Sequence, residues 1–580
     1  MQQYKINLKE NKKQILGILN TLSKSIYSPK KIEKILRIYP SKDGLYSKGA
    51  LYRAYIKLKT ELKLNKESEE NLYKNIKMKN IRSSSGVTPV TVLTKPFPCP
   101  GKCIFCPNDI RMPKSYLSDE PGAQRAESNL FDPYLQTHNR IAALKNIGHP
   151  VDKIELIILG GTWSSYPLTY QIWFVKECFR ALNEFETSTK DMIKTNTENP
   201  INLKGVKEID GEKMEKSYNQ VISLALNRQK QLKEQATWKE LENAHLKNIT
   251  AKQKCVGLVI ETRPDEINKE EVLRLRKLGA TKIQIGIQSL NDKVLKLNKR
   301  GHNCAKTAEA FKLLRAAGFK IQGHYMPNLY GSTSAKDISD YKKLFSNLAF
   351  KPDELKVYPC SLIESAELMH YYKRGLWKPY TEKELLKILV NTYKDTPRYC
   401  RINRMIRDIP STDIVVGNKK TNFRQMVDEE MKKNQIKVVE MRHREIRNEK
   451  IENPKIKVTT YKTTHTTEKF LEFVTDTDKI IGFLRLSLPK NPKNKITAEL
   501  NNCAIIREVH VYGQSLGIGK LSNKNAQHTG FGKKLIKKAE EISKKEGYER
   551  LAVISAIGTR EYYKKLGYEL VEMYQVKPRI

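Results

Sequence analysis

Apolar residues recur at helical spacing from residue 1 to about 80, and this pattern predicts a helical region. The positions that define it are Ile15, Leu16, Ile18 and Leu19, followed by Ile32, Ile35 and Leu36. The segment SKDGLYSKGA supplies a turn between two of these helices.

From about residue 81 to 395, short β-rich runs alternate with amphipathic helices, which predicts a parallel sheet or partial barrel. Strands are predicted at 154–159, 256–261, 283–287, 321–325 and 355–358, and helices at 270–278 and 305–317. Chemistry in such folds collects at the carboxyl ends of the strands. These ends carry Gly160 and Gly161, Glu261 and Arg263, Gln288, His324 and Pro359. We therefore expect one shared site.

Three further regions complete the predicted organisation. Residues 185–250 form a polar insertion with a solvated helix near 214–247, to which we assign no chemistry. Residues 396–450 form a basic connector that contains RYCRINRMIRDIPS. Residues 451–580 form a second α/β domain, with strands at 456–464, 469–475, 480–488 and 504–511, a helix at 531–546, a strand at 550–555 and a short helix at 559–565.

The charge of the chain indicates the kind of partner that it binds. Lys and Arg number 106 against 64 Asp and Glu, a net charge of +42, which indicates a nucleic acid or an anionic membrane surface as partner. Compositional bias toward Lys, Asn and Ile is the alternative explanation. Residues 1–80 alone hold nineteen basic and seven acidic side chains, so we interpret them as a phosphate-binding region rather than a merely solvated helical bundle.

The cysteine content and the hydropathy of the chain indicate its cellular compartment. The nine cysteines are odd in number and mostly scattered, which argues against a disulfide framework. The start MQQYKINLKE does not resemble a signal peptide, and no run approaches the roughly 20 apolar residues of a membrane helix. We expect a soluble, cytoplasmic protein without a membrane partner.

The segment FPCPGKCIFCPND places Cys99, Cys103 and Cys106 within eight residues. Such a triplet suits a 4Fe-4S cluster in which one iron stays open for a small molecule. A zinc site would normally close with a fourth ligand, and the next candidates, His138 and His149, are distant in sequence. We favour iron–sulfur, and the spacing resembles the cluster loop of radical S-adenosylmethionine (SAM) enzymes.

Three later segments are candidate SAM contacts. LGGTW offers backbone carbonyls at Gly160 and Gly161, where a ligand can approach closely. IETRPD contributes Glu261 and Arg263, and IQIGIQS contributes Gln284. The alternative for the last two segments is a buried strand followed by a cap.

The segment QHTGFG, at 527–532, precedes a predicted helix and follows the strand REVHVYG. Backbone N–H groups at a glycine-rich helix start can bind a pyrophosphate. This arrangement resembles the acetyl-CoA site of GNAT acetyltransferases. The candidate residues are Gln527, His528, Thr529, Gly530 and Gly532, and a phenol from Tyr562 or Tyr563 could protonate the leaving thiolate. One of these two tyrosines is expected to pack against the sheet instead.

A radical SAM region followed by a GNAT domain resembles the family of Elongator catalytic subunits. The resemblance covers about 81–180 and 255–580, and 1–80 loosely. The matching segments include SGVTPVTVLTKP, EPGAQRA, DPYLQTHNRI, VDKIELIILGGTW, CVGLVIETRPD, GFKIQGHYMPNL, LKVYPC, RMIRDIPS, QHTGFGKKL and GTREYYKKLGY.

The resemblance implies an enzyme that forms 5-carboxymethyluridine at the tRNA wobble position, with acetyl-CoA as the carboxymethyl source. A deoxyadenosyl radical would abstract hydrogen from the acetyl methyl group, and the carbon radical would add to the uridine. Cys99, Cys103 and Cys106 then fall on the cluster ligands. The implied acetyl-CoA contacts are Lys153, Glu508, Val509, His510, Val511, Gln527, His528, Thr529 and Tyr563.

Lys356, in LKVYPC, joins Tyr562 and Tyr563 as a candidate catalytic residue. The expected partner is a tRNA anticodon stem-loop, whose unpaired wobble base can be splayed out. Arg401, Arg404 and Arg407 lie in the connector near the expected active face. A homodimer and Elongator-type accessory subunits are both open.

One departure and two alternatives remain. Relatives carry extra cysteines where this chain has KVVEMRHREI, and Cys400 with His443 cannot complete a tetrahedral site, so we do not expect zinc. A protein lysine acetyltransferase with a structural iron–sulfur region, in which Glu508 is the base, is one competing function. A nucleic-acid scaffold that binds CoA without turnover is another.

Overall fold

The computed structural model describes residues 8–40, 44–77, 85–188, 217–227, 234–420, 422–447, 449, 451–513 and 530–580. The amino-terminal region is helical, as predicted, with helices Leu8–Ser23, Pro29–Ile38, Lys48–Leu62 and Lys66–Ile76. These helices share their own core, in which Ile15, Ile18 and Leu19 are fully buried. The Tyr73 hydroxyl donates to the Gly148 carbonyl and ties this bundle to the next region.

The first sheet contains seven parallel strands in the order β1-β2-β3-β4-β5-β6-β8. The strands are β1 Thr88–Leu93, β2 Lys153–Leu159, β3 Lys254–Thr262, β4 Lys282–Gln288, β5 Lys320–Tyr325, β6 Glu354–Val357 and β8 Arg401–Arg404. A small pair, β7 Leu362–Ile363 and β9 Ile414–Val416, lies beside it. The sheet forms a half-barrel, which confirms the predicted architecture.

Helices connect these strands, and most of them contribute buried apolar residues to the core that the sheet shares. They are Pro121–Glu127, Pro133–Lys145, Leu168–Glu184, Tyr218–Asn227, Trp238–Thr250, Lys269–Lys277, Asp292–Leu297, Cys304–Ala316, Ser334–Ser346, Leu368–Lys373, Glu382–Asp395 and Phe423–Lys433. The helices predicted at 270–278 and 305–317 are each found one residue earlier.

The insertion differs from its prediction. Instead of one solvated helix near 214–247, the described residues form two helices, and residues 189–216 and 228–233 lie outside the described part. Thr237 and Glu240 form a capping box, which starts the second helix anew. Leu241, Ala244, His245 and Asn248 of that helix are buried, and the helix packs on Leu168–Glu184. It is therefore part of the core rather than a solvated element.

The segment predicted as a connector contributes directly to the first sheet. Strand β8 pairs in parallel with β6, from Glu354↔Arg401 to Lys356↔Arg404. The following helix, Phe423–Lys433, packs on Glu382–Asp395. Hydrophobic patterning does not predict this strand, because its sequence, RINR, carries three polar residues and resembles a charged surface segment.

The second sheet has the order β10-β11-β12-β13-β14-β16-β15. Its strands are β10 Lys455–Lys462, β11 Thr466–Val474, β12 Ile480–Pro489, β13 Cys503–Val511, β14 Arg550–Val553, β15 Glu569–Val571 and β16 Tyr574–Lys577. Neighbours are antiparallel except β13 and β14, which are parallel. Helix Phe531–Lys545 lies between these two in the chain, and helix Arg560–Lys564 follows β14.

A buried ionic network joins the two sheets. Asp353, just before β6, accepts hydrogen bonds from both terminal nitrogens of Arg507 on β13, each at 2.7 Å. Arg507 also donates to Glu468 on β11 at 2.8 Å, and Arg485 on β12 lies 3.5 Å from Asp353. Asp353 is completely buried. Burial raises the pKa of its carboxyl, but Arg507 and Arg485 outweigh that effect and hold it well below the ordinary value.

Replacement of Asp353 by Asn should destabilise the protein by about 3–5 kcal/mol, because it leaves buried guanidinium groups without their counter-charge. The measurement is the free energy of unfolding from urea denaturation. Asp476→Asn is the matched control, since its ion pair with Lys455 is exposed and should contribute little to stability. Equal losses of unfolding free energy in the two variants would contradict the proposal that the buried network contributes more to stability than an exposed ion pair.

Candidate active site

The cluster loop lies at the carboxyl end of the first sheet, and its three cysteines line one cavity of about 540 Å³. Cys99 and Cys103 are buried, and Cys106 is partly buried. Arg300 donates to the Cys103 sulfur at 3.2 Å, and Arg263 lies 3.7 Å from the same atom. The Cys106 thiol, together with these two cations, holds the pKa of Cys103 well below that of an ordinary thiol despite its burial.

The donor set fits an iron–sulfur cluster better than a single ion. Among the described residues, no group of three or more His, Cys, Asp or Glu side chains is spaced to hold one metal ion. A cluster binds each thiolate through a different iron, so its cysteines need not converge on one point. Cationic neighbours favour the thiolate form that such a cluster requires. Cys99, Cys103 and Cys106 would therefore hold it.

The backbone of Cys99 is held by a residue from the insertion. Asn219 Nδ2 donates to the Cys99 carbonyl at 2.8 Å, and the Cys99 N–H donates to Asn219 Oδ1 at 2.9 Å. On the other side, Cys99 Sγ lies 3.4 Å from Thr162 Oγ1. We assigned no chemistry to the insertion, and a contact that spans 120 residues leaves no local signal in the sequence.

Gly160 and Gly161 have different surroundings. Gly160 has φ +134°, and a Cβ there would collide with the Thr94 hydroxyl, so the close approach is to the protein itself. Gly161, with φ +48°, lines the cluster cavity. Gly161 is therefore the member placed to face a ligand.

The predicted residues on β3, β4 and β6 form a polar wall of the same cavity. Lys356 Nζ donates to Gln284 Oε1 at 2.5 Å, and His324 Nε2 lies 3.1 Å from that oxygen. Glu261 accepts a hydrogen bond of 3.0 Å from the Tyr116 hydroxyl. Burial lowers the pKa of Lys356 to about 8.

A second cavity, of about 1210 Å³, lies between the two sheets. The pairing of β13 with β14 ends at Ile506↔Val553, and residues beyond that pair on both strands line the cavity. These residues include the predicted Glu508, Val509 and His510. Although burial raises its pKa, Lys320 and Arg485 hold the Glu508 carboxylate below its ordinary value, with Arg485 Nε at 2.9 Å.

The two predicted tyrosines occupy different positions. Tyr563 is buried and lines the cavity between the sheets, and burial raises its pKa, which keeps the phenol neutral. The Tyr562 hydroxyl instead approaches the start of helix Phe531–Lys545, 3.3 Å from where a Cβ on Gly532 would lie. Gly530 caps this helix with φ +74°, and Val511 lies beside Gly532.

Four of the predicted acetyl-CoA contacts remain: Lys153 and three residues that precede helix Phe531–Lys545 in the sequence. Gln527, His528 and Thr529 lie outside the described residues. Lys153 is the first residue of β2, where burial lowers its pKa, and it is not among the residues that line the cavity between the sheets.

The three connector arginines are engaged within the protein. Arg401 contacts Glu445 at 2.7 Å, Arg407 contacts Glu120 at 2.6 Å, and Arg404 contacts Asp408 at 2.8 Å. All three line the cluster cavity. They form part of its wall, and the Arg404–Asp408 pair is largely exposed there. His443 contacts Asp428 and Glu440 through its two ring nitrogens.

Comparison with known proteins agrees with this geometry. The chain matches the Radical SAM superfamily over 226–338, the Radical_SAM C-terminal domain over 352–433 and the Acetyltransferase (GNAT) family over 438–568. Within the described residues, no helix has both the length and the apolar character needed to cross a membrane.

Two relatives and one solved structure cover most of the chain. It is 36% identical over 570 residues to the tRNA uridine(34) acetyltransferase of Methanocaldococcus infernus, which covers 94% of this chain and 95% of that protein. It is 32% identical over 526 residues to Elongator complex protein 3 of Homo sapiens, with 87% and 86% covered. A solved N-terminally truncated archaeal Elp3 of M. infernus matches with a TM-score of 0.67 and 34% identity, over 85% of this chain and 99% of that one. The chain therefore belongs to the family of tRNA uridine(34) acetyltransferases and Elongator complex protein 3, and it unites a radical SAM half-barrel with a GNAT-type domain.

Proposed function

We propose that this enzyme modifies the wobble uridine of tRNA and forms 5-carboxymethyluridine, with acetyl-CoA as the source of the added carbons. The observation that carries this proposal is that the cluster cavity and the cavity between the two sheets adjoin inside one molecule. The names of the relatives support the substrate, since they state uridine 34 of tRNA.

Each cavity would hold one cofactor. Cys99, Cys103 and Cys106 would bind a 4Fe-4S cluster, and Gly161, Glu261 and Gln284 would contact SAM in the same cavity. Bound together, cluster and SAM supply a carbon radical that can remove a hydrogen atom from an unactivated methyl group. Arg263 and Arg300 would stabilise the thiolates, and Lys356 would face the reacting groups as a cation.

The second domain would position the thioester. Backbone groups of Glu508, Val509 and His510, beyond the last β13–β14 pair, would bind the pantetheine arm. The amino end of helix Phe531–Lys545 would bind the pyrophosphate through its first N–H groups and the helix dipole. Tyr563, kept neutral by burial, would donate its proton to the leaving thiolate.

The engagement of Glu508 weighs against a lysine acetyltransferase. A general base for an amine needs a carboxylate free to accept a proton. Glu508 is instead paired with Lys320 and Arg485, which stabilise its ionised form. Its contacts are those of a structural bridge between the sheets.

The function is tested by anaerobic reconstitution with iron and sulfide, followed by reaction with tRNA, SAM, a reductant and methyl-labelled acetyl-CoA. We expect label in a modified uridine and no thioester loss without tRNA. Label on protein lysines, independent of tRNA, would identify a lysine acetyltransferase instead. Absence of any turnover would favour the scaffold.

Replacement of Tyr563 by Phe should lower kcat for acetyl-CoA turnover by about 100-fold, because the thiolate loses its proton donor. Tyr562→Phe is the matched control: its hydroxyl lies near Gly532, so we expect a change in KM for acetyl-CoA with little change in kcat. Steady-state kinetics with labelled acetyl-CoA distinguish the two. A larger kcat loss in Tyr562→Phe would reverse the assignment.

The amino-terminal bundle should bind the tRNA backbone. Lys30 and Lys34 are exposed on helix Pro29–Ile38, so the double change to Glu should weaken tRNA binding and reduce the slope of log K against log salt by about 0.7–0.9 per lost phosphate contact. Filter binding across a salt series measures both. The control is the double change to Glu at the exposed Lys544 and Lys545 of the second domain. An equal loss in the control would show a general charge effect and refute the assignment.

A further inference from the structure

The two cavities meet within the half-barrel, where the same residues form the boundary of both. Five residues line both cavities: Pro89, Glu155, Lys282, Arg401 and Asn403. They come from β1, β2, β4 and β8, four of the seven strands of the first sheet. The cavities are therefore separated by a single layer of side chains on the sheet's inner face.

This layer is ionic and continuous. Lys282 Nζ lies 2.7 Å from Glu155 Oε1 and 3.3 Å from Glu354 Oε2. Asn403 Nδ2 donates to Glu354 Oε2 at 2.7 Å. These four residues lie on β2, β4, β6 and β8, so the layer extends across the sheet from its second strand to its last.

The chemistry of the layer is unusual for a packed interior. Barrel layers are normally filled by branched apolar side chains, and the burial of a charge is opposed by the loss of its hydration. Gln322 also lines the cluster cavity, and its buried Oε1 accepts no hydrogen bond from the described residues. Polar groups left in this state suit a path that water or a polar substrate enters.

Charged groups continue on both sides of the layer. Toward the second sheet, Lys320 contacts Glu354 at 2.6 Å and also pairs with Glu508. Toward the cluster, Lys356 and Gln284 follow at the next inward-facing positions of β6 and β4. A line of polar side chains thus extends from the cavity between the two sheets to the cluster cavity.

We propose that the inner face of the half-barrel is the path by which the acyl end of acetyl-CoA reaches the cluster cavity, and that Lys282 with Glu155 and Glu354 is its gate. The identity of the acyl donor rests on the proposed function. Opening requires Lys282 to leave one carboxylate. Glu354 then keeps Lys320 and Asn403 as partners, which limits the cost of opening.

Gly257 offers a way to block this path. It pairs with Glu155 in the β2–β3 register and lines the cavity on the second-sheet side. A Cβ there would meet Glu155 Cγ at 3.4 Å, an ordinary contact. Gly257→Leu would therefore place a branched side chain beside the gate, and Gly257→Ala is the matched control that adds only a methyl group.

The first experiment maps where an electrophilic acyl-CoA reaches. The holoenzyme is treated with 6-bromohexanoyl-CoA, and alkylated residues are identified by mass spectrometry. Lys356, whose pKa of about 8 leaves a fraction of free amine, lies on the cluster side of the gate. We expect labelling of Lys356 in the wild type and in Gly257→Ala, and acetyl-CoA should compete with this labelling. In Gly257→Leu, the labelling of Lys356 should fall by about tenfold or more. The CoA affinity and the circular dichroism spectrum of that variant should be unchanged.

The second experiment follows deuterium from trideuterated acetyl-CoA into 5'-deoxyadenosine, which should fall by about 100-fold in Gly257→Leu because the methyl group no longer reaches the radical. Unchanged Lys356 labelling in Gly257→Leu, or none in the wild type, would overturn the path. If labelling is blocked as expected but the wild type transfers no deuterium, the path stands and the proposed function fails.

Discussion

The ionic contact between Asp353 and Arg507 fixes the two sheets relative to each other, and the function proposed here depends on that placement. The carboxylate lies just before β6, and the guanidinium lies on β13, so one bidentate contact joins both halves. Its geometry is directional, unlike apolar packing, because two parallel N–H···O bonds fix orientation as well as distance. The proposed reaction would need such a fixed separation between a thioester held by the second domain and a radical source held by the first.

The network also accounts for the strand separation that opens the second cavity. Within the β12–β13 pairing, Arg507 is the β13 residue without a partner on β12, because the register shifts between Arg485 and Leu486. The shift places Glu508 opposite Arg485, where Arg485 Nε contacts its carboxylate at 2.9 Å. The same irregularity that satisfies the buried charges thus lies where β13 leaves β14. The docking of the two sheets and the cavity between them therefore share one structural cause.

Much of the fold could be predicted from the sequence because apolar runs and helical periodicity record burial locally. The strands at β2 to β6 and the helices near 270 and 305 are examples. Strand β8 escaped this reasoning, since Arg401 and Asn403 face the polar interior of the half-barrel and mimic a solvated segment. The pattern fails wherever the inside of the protein is itself charged.

The site could be predicted only in part, for a related reason. Cys99, Cys103 and Cys106 share a short motif, so the sequence indicates that they line the same cavity. Asn219 contacts Cys99 across 120 residues, and only the folded chain brings them together. Glycine spacing suggested ligand contact at Gly160, where the structure shows instead the nearby Thr94 hydroxyl. Motifs report which residue types are present, whereas their partners depend on topology.

The basic character of the chain divides between two kinds of residue. Among the described residues, the buried cations are mostly arginines: Arg263, Arg276, Arg300, Arg315, Arg444, Arg485 and Arg507, with only Lys95 and Lys282 beside them. Arginine suits these positions because its planar fork makes several hydrogen bonds at once and is more weakly hydrated than an ammonium group. The exposed lysines of the amino-terminal bundle keep their hydration and mobility, which suits contact with a phosphate backbone of variable sequence. Buried Lys282 differs from these arginines because it carries an ammonium group on a flexible side chain, not a planar guanidinium. Such a side chain can exchange between two carboxylates without disturbing the sheet around it.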